Sequence, residues 1–115
     1  MKIGLISEFD AAHHLPGYKG KCVQVHGHTY KVETVIDGPV GPDGFVMDFY
    51  KLKKIVNTVL EELDHRDLNE ILRNPTAEKI AEHIAGRFRQ GLENTPCRLI
   101  YIKLWEGKNK WVMVE

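Results

Sequence analysis

The sequence predicts one α+β domain spanning residues 1–115, with two helices on one face of a four-stranded antiparallel sheet in the order β-β-α-α-β-β. Three observations predict it. Apolar residues alternate along both ends of the chain, the period of half-buried strands. Between them lie two segments whose apolar residues recur every three or four positions, the period of a helix. Runs rich in glycine, proline and asparagine separate these segments.

The first strand covers residues 2–13, where Ile3, Leu5, Phe9 and Ala11 share one parity, Ser7 interrupts it and His13 continues it. Pro16, Gly17 and Gly20 mark a loop, and a second strand runs from about His26 to Asp37 with Tyr30, Val32 and Ile36 on the face that also carries His26 and His28. Residues 38–44 (Gly-Pro-Val-Gly-Pro-Asp-Gly) form a turn region. Asp48 is placed to cap a helix through about Leu63, whose stripe is Leu52, Ile55, Val56, Val59, Leu60 and Leu63. Asn74, Pro75 and Thr76 open a second helix, with Ile80, Ala81, Ile84, Ala85 and Phe88 as its stripe and Gly91 as its expected stop. Two strands, Arg98–Glu106 and Lys110–Glu115, close the chain around a tight turn at Gly107 and Asn109. Ala12, Val35, Tyr101 and Trp105 fall on the opposite parity, so the second sheet face is partly apolar and suited to packing against other subunits.

Sixteen acidic residues balance sixteen basic ones, which argues against a global field for nucleic acid or an anionic membrane surface. The apolar runs are short, and a soluble, cytoplasmic protein is expected. Cys22 and Cys97 sit in unrelated contexts, and free thiols are the default for both.

His26 and His28 are two residues apart, so on a strand both imidazoles face one way and can share an ion. His13, at the end of the first strand, can be folded alongside them. Three protein ligands and an open position make a catalytic rather than a structural zinc site. The competing reading is a pair of histidines on a solvated strand. Cys22 lies four residues before His26 on a polar, glycine-containing loop with Lys19 and Lys21, a setting that favours a reactive thiolate over a buried apolar thiol. Taken alone, Asp64-His65 reads as a histidine meeting a helix C-terminal dipole, and Glu106 as a solvated residue before a turn.

The strings Phe9-Asp10-Ala11-Ala12-His13, Lys21-Cys22, His26-Gly27-His28, Leu63-Asp64-His65 with Leu68-Asn69, Asn74-Pro75-Thr76-Ala77-Glu78 and Glu106, taken in order, resemble the 6-pyruvoyl-tetrahydropterin synthase family. The resemblance implies the tunnelling fold, in which three subunits join their sheets into a barrel and two trimers stack into a hexamer with active sites at subunit boundaries. It implies His13, His26 and His28 as Zn²⁺ ligands, with His14 a neighbour. It also implies Cys22 as catalytic base with Asp64 and His65 as its partners, Glu106 as the anchor of a pterin ring, and Thr76 and Glu78 in the pocket lining.

Three residues separate Cys22 from His26, which looks like the branch that forms 6-carboxy-5,6,7,8-tetrahydropterin from 7,8-dihydroneopterin triphosphate, releasing acetaldehyde and triphosphate, on the way to 7-deazaguanine bases such as queuosine and archaeosine. The alternatives are a pyruvoyl-forming (6-pyruvoyl-tetrahydropterin synthase) or side-chain-cleaving lyase on the same scaffold and, from another class, a non-catalytic zinc or pterin-binding oligomer. Lys19, Lys21 and Arg66 are candidates for the triphosphate by charge alone.

Overall fold

In the computed structural model, which describes residues 1–115, the alternating N-terminal segments form β1 (Lys2–His13) and β2 (His26–Asp37). They pair antiparallel over their whole length, from Lys2 opposite Asp37 to His13 opposite His26. The Phe9 and Tyr30 rings, which face one another in this register, stack with centroids 4.9 Å apart. Such cross-strand aromatic pairs favour one alignment over its neighbours.

Asp48 caps α1 (Phe49–Glu61) by accepting the Tyr50 N–H, and Thr76 caps α2 (Ala77–Leu92) by accepting the Lys79 N–H. Each cap satisfies a donor that the helix cannot pair internally. Asn74, just upstream, takes a left-handed conformation with φ 55°, which turns the chain into Pro75 and the cap. β4 (Arg98–Glu106) and β5 (Lys110–Val114) complete the hairpin, with Gly107 at φ 72° in the turn.

Both helices cover the same sheet face. Leu52, Val56, Val59 and Leu60 from α1 and Ile80, Ala81, Ile84, Ala85, Phe88 and Leu92 from α2 are buried against Phe9, Tyr30, Val32, Ile36, Ile102 and Leu104. On the other face, Lys31 and Lys103 place their ammonium groups 4.0 and 4.7 Å from the Trp105 ring centre, and Lys103 lies 4.0 Å from that of Trp111. The Tyr101 hydroxyl donates to Glu33 there, and Ile6 and Met113 are exposed. No helix is long and apolar enough to cross a membrane.

Two details depart from the sequence expectations. The sheet has five strands, in the order β3-β1-β2-β4-β5, because Arg66–Asp67 forms a short β3 parallel to β1 at Ala11 and Ala12. Two residues carry no readable periodicity. Gly91 does not stop α2 but lies within its last turn, where a Cβ would sit 2.8 Å from Ile55 Cγ2. It is a contact glycine, letting α2 approach α1.

Gly91→Val is therefore expected to destabilise the fold by about 1–3 kcal/mol in urea unfolding, through overpacking. Gly86→Ala, in the same helix with nothing within 4 Å of the added carbon, should stabilise it by about 0.4–1 kcal/mol. His83 on α2 is held below its usual 6.5 by burial, which outweighs the opposing Glu62 carboxylate. The unfolded chain thus binds its proton first as pH falls below 6.5, so stability present above that value declines on acidification. His83→Gln should show a smaller loss of Tm between pH 7.5 and 5.5 than the parent.

Candidate active site

The register of β1 and β2 sets the first layer of the site. His13 pairs with His26, and His28 pairs with Ala11 two residues further along, so the three imidazoles gather on the helix-covered face at one end of the sheet. Their ring centroids lie 4.5, 5.2 and 4.8 Å apart, and each offers a nitrogen within 4.8 Å of the others. His13 is buried, at 1% exposure.

The tautomers follow from the surroundings. His13 Nδ1 lies 2.8 Å from the Pro75 carbonyl, and His26 Nδ1 lies 2.7 Å from the Gln24 carbonyl. A carbonyl only accepts, so each Nδ1 carries a proton, and in the neutral ring the lone pair is then left on Nε2. His13 Nε2 and His28 Nε2 are buried without a hydrogen-bond partner, an arrangement costly for a closed protein and suited to a metal ion. Burial, with the charges of His13 and His26, outweighs Glu106 and lowers the His28 pKa, which favours the neutral imidazole that a metal requires.

Cys22 sits on a single 3₁₀ turn (Lys21–Val23), half-buried, with its carbonyl accepting the Leu15 N–H at 2.7 Å. It lines a cleft of about 430 Å³ together with Thr76, Glu78, Glu106 and Lys110. Glu106, at the end of β4 and opposite Tyr30, brings Oε1 to 3.6 Å from His28 Nε2 and 3.7 Å from Lys110 Nζ. The cleft thus holds a thiol and a carboxylate beside the histidine cluster.

Asp64 and His65 form a pair, with Asp64 Oδ2 2.9 Å from His65 Nδ1. His65 takes a positive φ of 57°, and its N–H donates to the Asp10 carbonyl at 2.6 Å. Asp64 Oδ1 accepts the Asp10 N–H at 3.0 Å, and that bond, followed by the one to His65, holds the Asp64 carboxyl below its ordinary range. The network continues through Asp10 Oδ1, which accepts the Thr29 hydroxyl at 2.5 Å.

His65 lines a different recess of about 540 Å³, with Asp10, Gly27, His28, Thr29 and Arg66. Within one chain the Asp-His pair and the thiol therefore open onto separate spaces, while His28 and its Glu106 neighbour lie between them. Cys22, Thr76, Glu78 and Glu106 share one cleft, which Glu106 links to His28, whereas His65 shares the other recess with His28 and does not meet Cys22. Reasoning from sequence missed Asp10 and Thr29, although Asp10 stands inside the first matching string. It also missed the Pro75 carbonyl, which no side-chain pattern can signal.

A family model described as 6-pyruvoyl tetrahydropterin synthase matches residues 2–115. A Pyrococcus furiosus dihydroneopterin monophosphate aldolase is 44% identical over 109 residues, 95% of this chain and 92% of that protein. An Archaeoglobus fulgidus putative 6-carboxy-5,6,7,8-tetrahydropterin synthase is 41% identical over 114 residues, 99% of this chain and 95% of its own. The Haemophilus influenzae 6-carboxy-5,6,7,8-tetrahydropterin synthase is 45% identical, covering 91% of this chain and 92% of that one. Among solved structures, the Caenorhabditis elegans 6-pyruvoyl tetrahydropterin synthase superposes with a TM-score of 0.87 at 25% identity, covering 100% of this chain and 94% of that one. With a family model spanning nearly every residue and relatives above 40% identity along its length, the chain belongs to the 6-pyruvoyl tetrahydropterin synthase family.

Proposed function

We propose that the protein is a zinc-dependent lyase that breaks the C1′–C2′ bond in the side chain of 7,8-dihydroneopterin triphosphate. With one water, the products are 6-carboxy-5,6,7,8-tetrahydropterin, acetaldehyde and triphosphate, feeding 7-deazaguanine synthesis in the cytoplasm. The observation that carries this reading is the cluster of three imidazoles with converging nitrogens, which Glu106 links through His28 to the cleft that also holds Cys22.

His13, His26 and His28 would hold the ion, and Zn²⁺ bound there supplies Lewis-acid polarisation of the two side-chain hydroxyl oxygens. Glu106 offers two acceptor oxygens to the pterin amino and ring N–H groups, fixing the ring by a bidentate contact, with Thr76 and Glu78 along its edge. Cys22, as the thiolate, removes a proton from the side chain beside the ring. His65, whose Nδ1 proton is held by Asp64, presents Nε2 to exchange protons with a hydroxyl. The separation of that pair from Cys22 within one chain fits a homo-oligomer, a hexamer of two trimers, in which one subunit's Asp64 and His65 serve its neighbour's thiol. The partly apolar outer sheet face, where Ile6, Trp111 and Met113 are exposed, fits the same assembly.

A second reading has its own support. The aldolase of P. furiosus aligns over 109 residues that make up 95% of this 115-residue chain, so the two sequences run almost without gaps. The H. influenzae alignment spans 132 positions yet takes in 91% of this chain, so that protein carries inserted residues. The Cys22 cleft has Lys110 as its one lining cation, against Glu78 and Glu106, which suits a monophosphate better than a triphosphate. On dihydroneopterin monophosphate, the same bond would break as a retro-aldol step. Loss of the C2′ hydroxyl proton would give glycolaldehyde phosphate, and protonation at C1′ would give 6-hydroxymethyl-7,8-dihydropterin.

Mass spectrometry of products from both phosphates decides between these outcomes. Acetaldehyde and the carboxy product from the triphosphate support the first reading, whereas hydroxymethyl product from the monophosphate alone replaces it with the second. Pterin binding without turnover would mark a non-catalytic oligomer. Cys22→Ala should lower kcat by roughly 10²–10⁴-fold, the usual contribution of a general base. Removal of metal with dipicolinate should abolish turnover and Zn²⁺ restore it, and His13→Ala should purify without stoichiometric zinc. Full activity in chelated protein would refute the metal's role.

A further inference from the structure

The Leu68-Asn69 string finds no part in the chemistry above, yet Asn69 makes a pair of contacts unlike any other side chain here. Its Oδ1 accepts the His14 N–H at 2.9 Å, and its Nδ2 donates to the His14 carbonyl at 2.9 Å. One amide group thus satisfies both backbone groups of the residue next to His13. The location explains why this is needed. β3 pairs with β1 only at Ala11 and Ala12, so the free edge of β1 loses its backbone partner just before the histidines. Asn69, two residues beyond Asp67, continues that edge with a side chain in place of a strand.

Asn69 is itself held. Leu68, its neighbour in the 3₁₀ turn Leu68–Glu70, is fully buried in the core, and the Asn69 N–H donates to Asp67 Oδ1 at 3.0 Å. On the other side of His14, Leu15 donates to the Cys22 carbonyl, so the loop that carries the thiol hangs from this same point.

We propose that Asn69 is a positioning residue that clamps His14 and thereby fixes both His13 as a ligand and the Cys22 loop relative to it. The proposal rests on the zinc reading for its effect on His13, but not for its effect on the loop. A carboxamide is required rather than a polar group in general, because the clamp needs one donor and one acceptor side by side. In Asn69→Asp the shape and the acceptor remain, while the donor becomes a second oxygen facing the His14 carbonyl.

Four readings on Asn69→Asp test this. Zinc affinity, measured by competition with a chromophoric chelator, should fall roughly 10–100-fold, the range for losing a group that orients a ligand. The visible absorption of the Co²⁺-substituted protein should shift. The His14 and Leu15 amides should exchange hydrogen faster, and iodoacetamide should alkylate Cys22 faster. Asn69→Ser, which removes both contacts without adding a repulsive oxygen, is read in the same way should the aspartate variant fail to fold. Thr95→Ala serves as a control for lost stability, since it removes hydrogen bonds to Leu92 and Cys97 in the turn before β4. It should lower Tm yet leave zinc affinity and Cys22 reactivity unchanged. If the folded Asn69 variants match Thr95→Ala in all these measurements, Asn69 is only a brace for the fold and the proposal fails. A parent protein that binds no zinc would instead refute the zinc reading, and amide exchange and alkylation would still judge the clamp.

Discussion

The pairing of β1 with β2 sets His13 opposite His26 and Ala11 opposite His28, and the rest of the site depends on that register. A slip of one residue would turn every side chain of one strand to the other face, sending two histidines away from the third. Several contacts oppose such a slip. Phe9 stacks on Tyr30, and the buried positions Phe9, Ala11, Tyr30, Val32 and Ile36 all lie beneath the helices. Burying large apolar side chains contributes roughly 1.5–3 kcal/mol each, so the sheet is aligned by its core and the histidines inherit that alignment. The convergence of the three imidazoles is thus a consequence of packing several residues away.

This origin explains which features could be read directly from sequence. Alternation along β1 and β2 and the three-four spacing of α1 and α2 are effects of burial, and burial leaves a pattern in residue type. His26-Gly27-His28 was legible for the same reason, since strand parity alone places both rings on one side. Other parts were not legible because they rely on the backbone. The Pro75 carbonyl that sets the His13 tautomer has no identity of its own, and the two-residue β3 is too short to show a period. Gly91 illustrates a different limit. A glycine near a helix end reads as a stop, but here its lack of a side chain serves the approach of Ile55 from another helix.

The second group, Asp10, Thr29, Asp64 and His65, is built on the opposite strand parity. Asp10 and Thr29 are cross-strand partners on the outer face, and the turn after α1 delivers Asp64 and His65 to them. The left-handed His65 backbone is the cost of that delivery, of order 1 kcal/mol or more for a non-glycine residue. Strain of this kind persists only where neighbours over-determine it. Here the His65 N–H bond to Asp10 and the Asp64 bond to the Asp10 N–H both contribute. One residue, Asp10, therefore anchors the Asp-His pair from within the same strand that carries His13.

Glu106 links the two halves of the chemistry more closely than a list of roles suggests. Its carboxylate stands 3.6 Å from His28 Nε2 and 3.7 Å from Lys110, at the boundary between the histidine cluster and the cleft. Burial and its neighbouring histidines drive His28 toward the neutral form, and Glu106 opposes them. Glu106 occupies this boundary because β4 ends its run against Tyr30, two residues along β2 from His28.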